Sequence, residues 1–172
     1  MQIAVGADHA GYDLLGVVAR HLGVLGHAVV DLGCGDPEVA VDYPDVGAAV
    51  GRHVVAGQAD LGICVCGTGI GMSMAANKVP GVRAAVVHDT TTARLAREHN
   101  HANVLCLGAR TMGGATAVDA VMAYLEAVPE HGRHDRRVAK LAELDHPAGD
   151  AALAGDAGPT PAGDLAAVGE LR

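Results

Sequence analysis

Five short apolar runs, at residues 2–7, 28–32, 61–65, 82–87 and 104–107, alternate with longer helix-like segments at 12–25, 45–56, 70–78, 90–100 and 113–128. Strands and helices alternating at this spacing imply an α/β fold, with a parallel sheet carrying helices on both faces. Right-handed crossovers then bring the C-terminal ends of the strands to one rim. Ligands in such sheets bind at that rim, near the point where the strand order reverses. The loops that follow the strands hold Asp8-His9, Cys66-Gly67-Thr68, His88-Asp89 and Gly108-Ala109-Arg110.

The 172 residues suit one such domain, spanning 1–146. Half of them are hydrophobic, yet Trp and Phe are absent, so the core must be Val, Leu, Ala and Ile. A net charge of −8 argues against nucleic acid or an anionic membrane surface as the main partner. It leaves room for an anionic metabolite, because a local cluster of Arg and His can outweigh the global sign. The four cysteines, Cys34, Cys64, Cys66 and Cys106, form no C-x-x-C pair. Three lie in or beside apolar runs, where a thiol behaves as a small buried hydrophobe. The first strand begins at once with no charged leader, and no apolar stretch is long enough to span a bilayer. A reducing cytoplasm is the expected location. From residue 147 onward Ala, Gly, Pro and Asp dominate without apolar periodicity, and a disordered tail over 147–172 is expected.

The run Cys66-Gly67-Thr68-Gly69-Ile70-Gly71 carries most of the chemistry. A strand emptying through glycines into a helix gathers backbone N–H groups around one concavity, a site for an oxyanion or phosphate. Cys66 at its lip is either the last residue of a buried strand or a base or nucleophile, and the three glycines favour the second. A phosphatase loop would need Arg where Met72 stands, a Walker loop would need Gly-Lys-Ser/Thr, and a dinucleotide fingerprint would follow the first strand.

Asp8 fits a helix N-cap as well as a sugar contact, with His9 beside it able to donate to a hydroxyl or phosphate. His99-Asn100-His101 ends a helix, where a protonated imidazole is favoured; it is either a surface helix end or a proton-transfer group. His99 and His101 lack helical metal-ligand spacing and no H-E-x-x-H occurs, so no metal site is expected. Arg110, Arg133, His134, Arg136 and Arg137 form the anion-gripping candidates in an otherwise acidic chain. Arg133 and Arg137, four apart, project from one helix face, which suits phosphate and equally a solvated basic helix.

These residues together resemble the ribose-5-phosphate isomerase type B family, which includes the galactose-6-phosphate isomerase subunits. The matching motifs are Gly6-Ala7-Asp8-His9-Ala10-Gly11, Asp42-Tyr43-Pro44, the Cys66 loop and Ala75-Ala76-Asn77-Lys78. Arg97-Glu98-His99-Asn100, Leu107-Gly108-Ala109-Arg110 and Gly132-Arg133-His134 match as well, so the likeness covers residues 1–144 in order. The resemblance implies a Rossmann-like three-layer αβα sandwich with a roughly five-stranded parallel sheet. It also implies interconversion of an aldose phosphate and a ketose phosphate, here D-ribose 5-phosphate and D-ribulose 5-phosphate, with no metal or other cofactor.

Under it Cys66 is the base, moving a proton between C1 and C2 through an enediolate. Some members use a Glu a few residues on, but this chain reads Ile70-Gly71-Met72-Ser73 there. Backbone amides over 67–71, namely of Gly67, Thr68, Gly69, Ile70 and Gly71, with the Thr68 hydroxyl, would stabilise the oxyanion. His99 would open the sugar ring, with Asp8 and Tyr43 near the sugar and Asn100 on its hydroxyls or the enediolate. His9, Arg110, Arg133 and Arg137 match phosphate-binding positions, and His134 belongs with them. A C-terminal helix over 131–145 would reach a partner subunit, making a homodimer or tetramer with shared active sites. Base, oxyanion donors and acid are expected on one rim. Gly16 stands where the family often has Lys, and the tail lies outside the likeness.

The galactose-6-phosphate enzymes divide their catalytic residues between two different subunits, whereas this chain carries Cys66, His99 and the arginines together. Two alternatives remain at this point: an isomerase of another sugar phosphate, such as a tetrulose phosphate or a 6-phosphohexose, and a nucleotide-binding sensor without turnover.

Overall fold

A computed structural model describes residues 1–145; the expected tail over 147–172 lies outside them. The apolar runs become β1 (Gln2–Ala7), β2 (Ala28–Asp31), β3 (Leu61–Cys66), β4 (Ala84–Val86) and β5 (Val104–Gly108). Between and after them lie α1 (Tyr12–Val24), α2 (Tyr43–Val55), α3 (Ile70–Ala76), α4 (Thr90–Asn100), α5 (Gly114–Glu126) and α6 (Arg133–Leu144). The strands form one parallel sheet in the order β2-β1-β3-β5-β4. This is the α/β sandwich expected from the sequence.

Most boundaries shift by one or two residues, and two of the shifts bear on the fold. Helix α2 begins at Tyr43 rather than 45, because Pro44 needs no N–H partner in a first turn. Strand β4 keeps only three residues at the edge of the sheet. Among the described residues no helix is long and apolar enough to cross a membrane.

The two faces of the sheet differ in size. Ile3, Val5, Leu61, Ile63, Val65, Leu105 and Leu107 pack with α1, α4 and α5. The opposite face offers Ala4, Cys64, Cys66, Val104 and Cys106 to α2 and α3. Gly6 and Gly62 complete it, and they let α2 ride close. A Cβ at Gly6 would fall 2.9 Å from Val50 Cγ2, and one at Gly62 would fall 2.8 Å from Val50 Cγ1. The two methyls of Val50 therefore sit in a hole between two glycines, an overlap no larger side chain would permit. Because α2 starts at Tyr43, this close seating also sets where the Tyr43 ring hangs over the rim.

Helix α6 stands apart from the sheet and touches α4. The loop before it is tied to the end of α4, where the Glu130 N–H donates to the Glu98 carbonyl at 2.8 Å. Tyr124 on α5 is fully buried, its hydroxyl donating to the Ala102 carbonyl at 2.9 Å. Burial pushes the Tyr124 phenol well up, so it acts only as a donor there.

Candidate active site

The chain leaves β1 for the β2 edge and returns past it to β3, so the strand order reverses between β1 and β3. At that point the loops after both strands open a cleft of about 450 Å³. Asp8, His9 and Ala10 line it from β1, residues 66–68, 70 and 71 from β3 and the start of α3, Tyr43 and Met74 from α2 and α3, and Arg110 from beyond β5.

Cys66 ends β3 with only 5 % of its surface exposed. Its Sγ accepts a hydrogen bond from the Gly69 N–H at 3.1 Å, which fixes the sulfur toward the loop. Gly69 turns with φ +79°, in the left-handed region, and a Cβ there would lie 3.2 Å from the Cys106 carbonyl oxygen. The Ile70 N–H is taken by the Thr68 hydroxyl at 3.3 Å. Two of the five amides expected to hold an oxyanion therefore have partners inside the loop itself. The amides of Gly67 and Thr68 have no protein acceptor among the described residues.

The other walls are set by close approaches. Asp8 is buried, and its Oδ1 accepts the Gly11 N–H at 3.0 Å, so one oxygen caps the turn into α1. Gly11 lies against the Val65 carbonyl, where a side chain would collide with backbone. The Arg110 side chain crosses Gly67, its Nε 3.4 Å from where a Cβ would stand. The Tyr43 ring packs on Gly71, where a Cβ would fall 2.7 Å from Cε2. Asp89, from another post-strand loop, is the cap of α4: Oδ1 accepts the Thr92 N–H at 2.7 Å. That bond holds its carboxyl below the usual range.

His99 and Asn100 lie elsewhere. Helix α4 runs antiparallel to the strands and ends just before β5 begins, on the rim opposite Cys66. The expectation of one rim bearing base, oxyanion donors and acid is thus corrected: a crossover helix starts at the strands' C-terminal rim and ends at their N-terminal rim. Asn100 lines a separate hollow of about 410 Å³ with Arg83, Ala102, Leu141 and Leu144.

A second polar cluster forms on that far rim. The His99 and His134 rings stack with centroids 4.4 Å apart and planes 14° from parallel. One Glu130 oxygen, Oε2, lies 3.3 Å from His134 Nε2 and 3.8 Å from His99 Nε2. Arg133 Nε donates to His134 Nε2 at 3.1 Å. Among the described residues no salt bridge engages Arg110, Arg133 or Arg137, which leaves these cations open to an anion. Asp135 caps the start of α6, and its bonds from the Gly132 N–H and from His131 hold its carboxyl below the usual range.

Sequence reasoning passed over Glu130 and Met74. Glu130 has no motif around it beyond its place three residues before Arg133. The ligand atoms of His99, Glu130 and His134 come within 4.8 Å of one another, a trio drawn from α4, a loop and α6 that no spacing motif can register. The near-parallel stacked rings direct their lone pairs along parallel planes, a geometry suited to a hydrogen-bonded cluster and not to convergence on one ion.

A family model described as Ribose/Galactose Isomerase matches residues 3–141. Ribose-5-phosphate isomerase B of Escherichia coli is 41 % identical over 144 residues, covering 84 % of this chain and 96 % of the relative. The structure of ribose-5-phosphate isomerase B from Clostridium thermocellum superposes with a TM-score of 0.83 at 48 % identity, covering 84 % of this chain and 97 % of that one. That of ribose-5-phosphate isomerase B from Mycoplasma genitalium, with ribulose 5-phosphate bound, gives 0.80 at 42 % identity, covering 84 % and 95 %.

Proposed function

The chain belongs to the Ribose/Galactose Isomerase family and is a sugar-phosphate isomerase, and on that premise we propose that it interconverts D-ribose 5-phosphate and D-ribulose 5-phosphate with Cys66 as the base. The observation that carries this reading is the Cys66 sulfur, fixed by the Gly69 N–H at the switch-point cleft beside two unengaged amides. The Cys66 thiolate takes the proton from C2 of the open aldose, and the C1 carbonyl oxygen becomes an enediolate oxyanion. The Gly67 and Thr68 N–H groups stabilise that charge. The proton returns to C1 while the hydroxyl proton moves from O2 to O1, which leaves the ketose. No step requires a metal.

The phosphate and ring-opening groups complete the site from a second copy of the chain. His9 and Arg110 belong to the Cys66 cleft, whereas His99, Asn100, Arg133 and Arg137 stand on the far rim. A dimer, alone or within a tetramer, that brings the far rim of one subunit to the cleft of the other assembles the whole set. In it α6 carries Arg133 and Arg137 to the phosphate, His134 supports Arg133 from beneath, and Asp8, Tyr43 and Asn100 meet the sugar hydroxyls. A phosphate gripped away from the reacting carbons supplies binding energy that positions them.

The pentose is favoured because the relatives above bear that name and one holds ribulose 5-phosphate. Family membership sets the sensor reading aside. The test is kcat/KM for ribose 5-phosphate against a tetrose 4-phosphate and hexose 6-phosphates, including galactose 6-phosphate. Ribose 5-phosphate is expected to lead by at least about tenfold, roughly what one methylene's worth of pocket fit supplies. Any other sugar phosphate leading by that margin overturns the substrate assignment.

A further inference from the structure

We propose that Glu130 is a positioning residue for His99, holding the proton on one imidazole nitrogen so that the other is left to work on the sugar. The inference rests on His99 being the ring-opening group in the function proposed above.

The argument begins with the backbone. Glu130 is pinned at both of its main-chain polar groups to the last turn of α4. Its N–H donates to the Glu98 carbonyl at 2.8 Å, and its own carbonyl accepts from His101 Nε2 at 2.7 Å. His101 is itself held at φ +49°, in the left-handed region, as the C-cap of α4. On a free loop a glutamate would sweep its carboxylate over a wide surface. Here the main chain of Glu130 is fixed at both polar groups, which anchors the half-exposed side chain within reach of the His99 ring, where its Oε2 is found 3.8 Å from Nε2.

Counting protons and lone pairs then separates the two histidines. His134 is buried, and its Nε2 accepts from Arg133 Nε at 3.1 Å, so that nitrogen carries no proton. The nearby Glu130 Oε2 is also an acceptor and receives nothing from it. The remaining imidazole facing Oε2 is His99 Nε2, 3.8 Å away, a contact of ion-pair range that in the proposed role closes to a hydrogen bond when His99 carries its proton there. A carboxylate on Nε2–H selects that tautomer and leaves Nδ1 with its lone pair. The His134 ring stacked at 4.4 Å keeps the His99 ring from turning over.

Ring opening then balances. Nδ1 takes the proton of the anomeric hydroxyl, the O–H electrons form the C1 carbonyl, and the bond from C1 to the ring oxygen breaks. The ring oxygen leaves as an alkoxide and receives the proton back from the imidazolium, whose charge Glu130 faces in the meantime. Glu130 exchanges no proton with the sugar.

The experiment compares Glu130→Gln with wild type in two assays. Conversion of ribose 5-phosphate requires ring opening. Exchange of the C1 hydrogen of ribulose 5-phosphate with deuterated solvent does not, because its 5-hydroxyl is phosphorylated and cannot close a furanose. Conversion is expected to lose about tenfold in kcat with little change in KM, below the roughly hundredfold floor for losing a whole acid–base group. Exchange is expected to stay within about twofold, with Glu130→Asp recovering part of the conversion. Equal losses in both assays, or no loss in either, overturn the assignment. A substrate-free arm keeps it distinct from the isomerase reading: imidazole nitrogen NMR should show the Nε2–H tautomer of His99 in wild type and a mixture in Glu130→Gln. An unchanged tautomer contradicts the role of Glu130, whereas wild type failing to convert ribose 5-phosphate contradicts the function proposed for the enzyme.

Discussion

Two inactive variants of this enzyme should restore each other when their subunits are allowed to mix. Cys66 ends β3 opposite Gly108, while His99 lies before Val104 at the other end of β5. The five residues of β5 alone span about 16 Å. No imidazole bridges that distance to a sugar at Cys66, so the proposed reaction, which uses both groups, is expected to pair Cys66 of one subunit with His99 of another. Cys66→Ala and His99→Asn are each expected to have negligible turnover of cyclic ribose 5-phosphate. Equal amounts, dissociated in mild denaturant and reassociated, leave half of the dimers mixed. Each mixed dimer has one site with both groups intact and one site lacking both, so about a quarter of wild-type activity returns for a two-fold pair. The assay is ribulose 5-phosphate formation before and after mixing, with subunit exchange followed by native mass spectrometry. Confirmed exchange with activity no higher than the two variants alone would refute the shared site, because sites confined to one chain cannot complement.

The seating of α2 and the cap of α4 give two further tests. Gly62→Ala overpacks against Val50 and should destabilise by about 1–3 kcal/mol, whereas Val50→Ala should cost roughly 2–3 kcal/mol through lost methyls and a cavity. In the double variant the new methyl enters the vacated space, so urea unfolding should show at least about 1 kcal/mol of favourable coupling; simple additivity contradicts the hole-between-glycines packing. Asp89 has its carboxyl held low by the Thr92 N–H, so its stabilising effect is present above the unfolded value and fades as pH falls through the folded one. Asp89→Asn keeps a capping oxygen without the charge, and should flatten the loss of Tm below about pH 4. An unaltered acid limb would show that the cap carries no such linkage.

The sheet was readable because β1, β3 and β5 are buried on both faces, which gives apolar runs that no loop imitates, while the partly exposed edge strands β2 and β4 were read from their Val-containing runs. Parallelism followed from alternation, and with it a shared rim for Asp8, His9 and Cys66, whereas the strand order that sets β1 beside β3 came only from the structure. What failed was the placement of His99 on that same rim. Its residue type and its family likeness drew it toward Cys66, yet the direction of α4 sends the end of that helix to the opposite edge. Hydrogen-bond partners inside the Cys66 loop were also out of reach. Residue types cannot say that the Gly69 amide turns to the sulfur and the Ile70 amide to the Thr68 hydroxyl. Glu130 was invisible for a third reason, since its position depends on two hydrogen bonds at its main chain, one to the Glu98 carbonyl and one from the His101 ring, across about thirty residues.

The central claim, that Cys66 carries the proton between the two carbons, is tested most directly by running ribose 5-phosphate conversion in deuterated water with a chelator present, for wild type and Cys66→Ala. The account predicts chelator-resistant turnover by wild type, with solvent deuterium appearing at C1 of the ribulose 5-phosphate in those turnovers where the Cys66 thiol exchanges its proton before delivering it, and loss of at least about a hundredfold in the variant, as expected for a general base. Turnover by Cys66→Ala near the wild-type rate, with the same deuterium at C1, would contradict it and place the base elsewhere in the cleft.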